Sequence, residues 1–196
     1  MARRASAASP GTRQRLADAA LDQFHRKGYN ATSVQDLVSA AGAPKGTFYN
    51  HFQSKEDLAL DAVRRYAAAM CVDMLRDRDA GPARDRIRRH LGHVLAAAGD
   101  FGPERGCLLA TLAGEVPTYG DALARAVSDA LDAWVSALAG AIDEARAAGD
   151  LAMRESGAEL AAFIVSAYEG AAVRAKAAGS LEPMRNFERM AALLLA

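Results

Sequence analysis

The segment from residue 31 to 57 constrains the fold of this chain more than any other part. Ser33 followed by Asp36 matches the Ser/Thr-x-x-acid capping box, which satisfies the free N–H groups at a helix start. A helix therefore begins near Val34. Gly42 ends it, because glycine readily adopts the left-handed conformation that commonly closes a helix.

A second short helix is expected directly after that turn, from about Lys45 to His51. Pro44 lacks an N–H and has a preset φ, which suits the entrance of a helix. Phe48 and Phe52 lie one turn apart and are expected to anchor the helix to the core. Two short helices joined by a glycine turn are typical of a helix-turn-helix, whose second helix lies in the DNA major groove.

The outward-facing side chains of this motif divide into two sets by their chemistry. Lysine can donate to guanine, asparagine can bond adenine through two hydrogen bonds, and a threonine methyl suits thymine. We therefore expect base contacts from Lys45, Thr47 and Asn50. Hydroxyl groups and cations suit phosphates, and the phosphate candidates are Thr32, Ser33, Tyr49, His51 and Lys55. For Tyr49 and His51, the alternative is that they only brace the small domain.

The distribution of charge supports a nucleic-acid partner, although the net charge of the whole chain is zero. Residues 1–55 hold eight basic and three acidic side chains, so this part carries +5 and the remainder −5. A basic unit joined to an acidic body attracts phosphate at one end only.

The order Gly-Thr-Phe-Tyr-Asn-His-Phe-x-Ser-Lys-Glu-Asp-Leu, residues 46–58, is similar to the signature of the TetR family of bacterial transcriptional regulators. The resemblance covers roughly residues 12–60, and beyond them only helix number and length agree. Pro44 is a departure, since the family often has a serine cap there. The resemblance implies a palindromic double-stranded DNA operator, most commonly repression, and release by a small-molecule effector.

Apolar residues keep helical spacing along most of the remaining sequence, which predicts an all-α fold of about nine helices. One long helix is expected from Lys55 to Arg78, and a short one from Arg105 to Val116. We expect a flexible basic arm over residues 1–10, a three-helix DNA-binding domain over 11–54, and a larger helical bundle over 55–196. In the family, such a bundle binds the effector and forms a homodimer through its last two helices, although these helices could instead only complete the monomer core.

An effector site, where the family resemblance implies one, is expected among the helices of the bundle. Its candidate lining residues are mostly apolar, which fits a hydrophobic effector, and most of them would look the same in an ordinary core. They are Tyr66, Met70, Met74, Leu95, Phe101, Cys107, Leu108, Thr111, Trp134, Phe163 and Tyr168.

Cys107 invites a second interpretation. It follows Gly106 at an expected helix start beside Arg105, and both features lower a thiol pKa. The Gly-Cys-Leu-Leu segment resembles one found in family members that include electrophile and oxidant sensors, and Lys176 is a candidate cationic partner. The alternative is an inert core cysteine.

Other classes of protein find less support in the sequence. His90 and His93 lie three residues apart and could in principle ligate a metal, but no third ligand is evident, so we expect no metal and no cofactor. No phosphate loop or nucleophile–base pattern indicates an enzyme. A helical scaffold that binds acidic protein remains an alternative. Two cysteines, no secretory pattern and no apolar run of about 20 residues favour the cytoplasm over a membrane or an oxidising compartment.

Overall fold

The computed structural model describes residues 11–44, 46–115, 120–153 and 155–195. Within these ranges the chain forms eight α-helices and no strand, which confirms the all-α expectation. The α-helices are α1 (Thr12–Lys27), α2 (Val34–Ala40), α3 (Lys55–Ala69), α4 (Ala83–Phe101), α5 (Leu108–Ala113), α6 (Asp121–Ala147), α7 (Gly157–Ala178) and α8 (Glu182–Leu194). Short 3-10 helices cover Phe48–Asn50, Val72–Leu75 and Arg78–Ala80. The expected arm over 1–10, Lys45 and the expected helix end at Val116 lie outside the described residues.

The capping signals in the first part of the chain are confirmed. The Ser33 hydroxyl accepts from the backbone N–H of Asp36 at 3.1 Å, and the Asp36 carboxylate accepts from the N–H of Ser33 at 2.9 Å. Gly42 follows α2 with a φ of +56°. Local hydrogen bonding therefore positions the first helix of the motif.

The second helix of the motif is shorter than expected. Gly46 has a φ of +88°, which lies outside the right-handed helical region, so regular helix cannot run through it. The chain instead forms a turn and then the 3-10 helix Phe48–Asn50. Phe48 and Phe52 are almost fully buried, which confirms their expected role as anchors.

The expected helix from Lys55 to Arg78 is also wrong at its C-terminal end, because α3 stops at Ala69. Cys71 adopts a left-handed conformation with φ 52° and ψ 42°, which is uncommon for a residue other than glycine. The break lets Met70 and Leu75 both bury their side chains, at 6% and 2% exposure. The imidazole Nε2 of His93 lies 2.7 Å from the Ala69 carbonyl oxygen and provides a donor for the free end of α3.

The body packs around α6, which contacts α3, α4, α5 and α7. Trp134 of α6 is fully buried, and its indole N–H donates to Nε2 of His90 at 2.7 Å. Its ring meets the Tyr168 ring edge-on, with centroids 5.2 Å apart. His90 and His93 thus have structural partners on different neighbours. In the described ranges, no helix combines the length and apolar character needed to cross a bilayer.

Candidate functional site

The tip of the helix-turn-helix presents polar side chains on a buried aromatic base. Tyr49 is 69% exposed and Asn50 is exposed, while Tyr49 packs edge-on against the buried Phe48 ring at 5.2 Å. The Thr47 hydroxyl donates to the Pro44 carbonyl at 2.7 Å. Anchoring by Phe48 therefore turns its neighbours outward. His51 is half-buried.

Two of the expected phosphate contacts are instead used inside the protein. Thr32 is fully buried and its hydroxyl donates to the Gly28 carbonyl at 2.7 Å, so this side chain is not available to a phosphate. The Lys55 ammonium donates to the carbonyls of Tyr29 and Thr32 at 2.8 and 3.0 Å and lies 3.9 Å from the centre of the Tyr29 ring. Partial burial lowers the pKa of Lys55. Both residues hold the chain between α1 and α2. Ser33 is exposed but uses its hydroxyl in the α2 cap.

The other side of the same turn is held by the body. The Glu115 carboxylate, just beyond α5, accepts from the N–H groups of Tyr29 and Asn30 at 2.8 and 3.1 Å. Gly28 has a φ of +84°, and a Cβ there would lie 2.1 Å from the Glu115 carboxylate. We call this contact, formed by Glu115, Lys55 and residues 28–32, the turn seam.

A second contact joins the end of α1 to the loop before α5. Asp22 pairs with Arg105, and Arg26 lies 3.3 Å from Glu104. The His25 imidazole Nε2 lies 2.9 Å from the Gly106 carbonyl oxygen, to which it donates in the neutral tautomer that carries its proton on Nε2. We call this contact, between residues 22–26 and residues 104–106, the loop seam.

A cavity of about 240 Å³ lies directly inside the loop seam. Its wall combines residues of the expected DNA-binding end with residues of the body, including Leu21 and His25 of α1, Tyr66 of α3, Met70 directly after α3, and Phe101 of α4. Arg105, His93 and Tyr168 add polar groups to this wall. A molecule in the cavity would therefore touch α1 itself.

Burial shifts the pKa values of several groups near the cavity toward their uncharged forms. Burial, assisted by Arg105, lowers the pKa of His25 from 6.5 to about 4, against the opposing hydrogen bond to Gly106. Burial also raises the pKa values of Tyr66 and Glu169. At neutral pH His25 is thus an uncharged hydrogen-bonding group.

The structure brings together four of the eleven candidate lining residues, Tyr66, Met70, Phe101 and Tyr168. Cys107, Leu108 and Trp134 are buried behind this wall rather than in it. The Thr111 hydroxyl bonds the Cys107 carbonyl, Met74 belongs to the 3-10 helix after Cys71, and Leu95 lines a separate groove between α4 and α8. Phe163 is 59% exposed in a groove between α7 and α8. Apolar spacing marks all of these as inward-facing without telling which space they face.

The expectation of a lowered thiol pKa at Cys107 is wrong. Cys107 is 1% exposed, its thiol lies 3.3 Å from a Glu169 carboxylate oxygen, and the Tyr66 hydroxyl donates to its sulfur at 3.4 Å. Burial, and then the Glu169 charge, raise the pKa of Cys107 from 9.0 to about 12. The Lys176 ammonium donates to the His25 carbonyl at 3.0 Å and is not placed on the thiol.

The sequence interpretation missed His25, His93 and Arg105 as cavity residues. His25 follows Leu21 by four residues, so the two share one face of α1, and this spacing was a usable signal. Its partner loop lies 81 residues away in sequence, which no local pattern reveals.

Comparison with known proteins identifies the N-terminal and C-terminal parts of the chain separately. The profile of bacterial regulatory proteins of the TetR family matches residues 16–62. That of the tetracyclin repressor-like C-terminal domain matches residues 77–191.

Two relatives align along most of the chain. The transcriptional regulator AcuR of Cereibacter sphaeroides is 31% identical over 180 residues, covering 90% of this chain and 81% of the relative. The HTH-type transcriptional repressor DhaR of a Mycobacterium species, strain GP1, is 26% identical over 178 residues, covering 89% of this chain and 87% of the relative.

Solved structures agree with this assignment. A TetR regulatory protein from Rhodobacter sphaeroides superposes with a TM-score of 0.84 at 28% identity, covering 94% of this chain and 99% of that one. The reduced form of Escherichia coli NemR gives 0.78 at 25% identity, covering 95% and 98%. The chain belongs to the TetR family of bacterial regulatory proteins, and it is a ligand-responsive, DNA-binding transcriptional regulator rather than an enzyme.

Proposed function

We propose that the protein is a repressor that binds a palindromic operator as a homodimer and leaves it when a small, largely hydrophobic molecule enters the cavity inside the loop seam. The observation that carries this proposal is the composition of the cavity wall, in which Leu21 and His25 belong to the first helix of the DNA-binding end. A ligand in this cavity contacts α1 directly and thereby changes the orientation of the DNA-binding end. It shifts the equilibrium only as far as it prefers the state that does not bind DNA.

The domain division follows the same logic. Residues 11–54 act as the DNA-binding domain and residues 55–196 as the effector-binding and dimerisation domain, with α3 connecting them. The basic arm over residues 1–10 adds cationic contacts to the DNA. A protein whose partner is chromosomal DNA works in the cytoplasm.

Base recognition is assigned to Lys45, Thr47 and Asn50, and phosphate contact to Ser33, Tyr49 and His51. The exposure of Tyr49 and Asn50 beside the buried Phe48 supports these roles. Lys55 and Thr32 contribute indirectly, because they hold the turn between α1 and α2 in the shape that binds DNA.

Dimerisation is assigned to the outer face of α7 and α8. Phe163, Met190 and Leu193 are 59%, 50% and 70% exposed there, an unusual concentration of large apolar side chains at the surface of a monomer. The exposed Gly170 and Ala162 on the same helix let a partner helix approach closely. A two-fold dimer separates its recognition elements by about one DNA turn, ~34 Å, or a multiple of it.

The primary experiment selects duplexes that bind the protein from a random pool and measures affinity against salt. We expect an inverted repeat to emerge, with binding that weakens steeply as salt increases. Asn50→Ala is expected to reduce discrimination between the selected site and a shuffled duplex by about 1–3 kcal/mol. Ser128→Ala, an exposed position on α6, is the control. Selection of no sequence would contradict the proposed function.

Light scattering, which measures the mass of the particle in solution, tests the dimer separately. Leu193→Glu places a charge in the exposed apolar face and is expected to yield monomers with weakened operator binding. Ala96→Glu, at an exposed position of α4, adds the same charge elsewhere and is expected to leave the dimer intact. A monomeric wild-type protein that still binds the palindrome tightly would overturn the dimer assignment.

A further inference from the structure

We propose that the ligand of the cavity carries a carboxylate, and that this carboxylate replaces Asp22 as the partner of the Arg105 guanidinium, binding its Nε and Nη2 groups. The inference rests on the proposed function, because it names the chemical class of the molecule that enters the same cavity.

The charge of the wall selects the class of ligand. Among the described residues that line the cavity none is acidic, and the permanent charge in this wall is the guanidinium of Arg105. The remaining polar groups are imidazoles and phenols, which hydrogen-bond an anion without repelling it. A cationic ligand would meet the like charge of Arg105 and find no carboxylate in the wall.

The geometry of Arg105 selects the functional group. Its Nη2 donates to Asp22, whereas its Nε is buried and has no hydrogen-bond partner among the described residues. Nε and Nη2 form one edge of the guanidinium fork, and this edge matches the two oxygens of a carboxylate. Asp22 therefore satisfies only half of an edge that a carboxylate satisfies completely. The guanidinium also lies over the Phe101 ring, 5.1 Å from its centre, which holds its plane in the wall.

The exchange has a direct consequence for the loop seam. Asp22 lies on α1, and its bond to Arg105 ties that helix to the loop before α5. When a ligand carboxylate replaces Asp22, Arg105 becomes bound to the ligand and one ion pair of the seam is lost. Asp22 retains Arg26, whose Nε lies 3.0 Å from the same carboxylate. The ligand thus removes a contact between the DNA-binding end and the body without leaving a charge unpaired.

Three probes of nearly equal shape test the class of ligand: benzoate, benzamide and benzamidinium. Trp134 is the single tryptophan of the chain and its ring packs 5.2 Å from Tyr168 of the cavity wall, so intrinsic fluorescence reports occupancy. We expect benzoate to bind at least about tenfold more tightly than benzamide, and benzamidinium not to bind. Equal binding of the three, preference for the cation, or no binding of benzoate or other small monocarboxylates up to about 10 mM overturns the inference.

Variants test the exchange at Arg105. Arg105→Gln is expected to abolish the preference for benzoate over benzamide. Asp22→Asn removes the competing carboxylate and is expected to tighten benzoate binding several-fold, while Asp18→Asn, one turn away on α1, leaves it unchanged. Thermal unfolding of each variant verifies folding. Weaker benzoate binding by folded Asp22→Asn contradicts the exchange.

DNA binding without ligand separates this inference from the proposed function. A protein that binds its selected duplex but prefers neutral probes overturns the carboxylate inference alone. A protein that selects no duplex overturns the proposed function, and its benzoate affinity still tests the cavity.

Discussion

The two seams join the same two parts of the molecule with different chemistry. In the turn seam, the Glu115 carboxylate binds backbone N–H groups of Tyr29 and Asn30. In the loop seam, the ion pairs join side chain to side chain, as in Asp22 with Arg105, while the His25 imidazole bonds the backbone carbonyl of Gly106. A backbone donor changes partner only if the chain moves, whereas a side chain can exchange one partner for another by rotation. The turn seam is therefore suited to act as a pivot and the loop seam as the contact that a ligand alters.

The largest expected effect concerns Cys107, which lies directly beneath the loop seam. Its burial and its pKa of about 12 reduce the thiolate fraction at neutral pH by about 10³ relative to an ordinary thiol. We expect iodoacetamide to modify the half-buried Cys71 first and Cys107 at least about 10³-fold more slowly, measured by mass spectrometry on Cys71→Ser and Cys107→Ser. Comparable rates would mean that the loop seam opens freely without ligand.

The turn seam is most sensitive at Gly28. An alanine at this position would have to adopt a backbone conformation that is rare for residues with a side chain, and its Cβ would displace the Glu115 carboxylate. We expect Gly28→Ala to lower the free energy of unfolding by about 3 kcal/mol in denaturant titrations. Gly99→Ala, where a Cβ meets nothing within 4 Å inside α4, is the control and is expected to gain up to about 1 kcal/mol. If Gly28→Ala and Gly99→Ala change the free energy of unfolding equally, the turn seam does not act as a pivot.

Acid is expected to weaken the loop seam through His25. Because the pKa of His25 is lowered to about 4, the unfolded chain binds a proton between about pH 6.5 and 4 that the folded chain does not. Stability is therefore complete above pH 6.5 and falls as the pH falls through this window, by up to about 3 kcal/mol.

His25→Gln retains a donor for the Gly106 carbonyl and is expected to flatten the pH dependence in denaturant titrations. His90 has a similarly lowered pKa of about 4 away from the seam, so part of the slope should persist. An unchanged slope in the His25 variant would show that this imidazole does not titrate with folding.

Neutralising Glu115 is expected to have an intermediate effect. Glu115→Gln keeps an acceptor but replaces two charge-assisted hydrogen bonds by neutral ones, which costs about 1–2 kcal/mol of unfolding free energy. Glu155→Gln, at an exposed position, is the matched control and is expected to change stability by less than about 0.5 kcal/mol. If both substitutions behave alike, the carboxylate does not hold the turn.

The smallest effect is expected at the rim of the loop seam. Arg26 and Glu104 are 38% and 54% exposed and 3.3 Å apart, and solvent screens such pairs. Glu104→Gln is expected to leave both thermal unfolding and benzoate affinity unchanged. A clear loss of stability would mean that the whole seam, rather than the pair of Asp22 with Arg105, ties α1 to the body.

Local signals predicted much of the fold and of the DNA-binding end. The Ser33 cap and the Gly42 stop depend on neighbours within a few residues, and the spacing of Phe48 and Phe52 is itself local, so the sequence reveals them. The break at Cys71 is different, because a helix-forming stretch is interrupted to bury Met70 and Leu75 together. Propensity favours continuation there, and only packing against the body reverses it.

The sequence by itself determined an all-α chain with a basic DNA-binding end, since helix periodicity, caps and charge are local properties. Tertiary structure decided which residues line the cavity and what state their groups adopt. At Cys107, Gly106 and Arg105 next in sequence suggested an activated thiol, but burial, and then the charge of Glu169, which lies 62 residues away, raise its pKa. A pKa responds to the solvent and charge around a group, and these are properties of the folded surroundings.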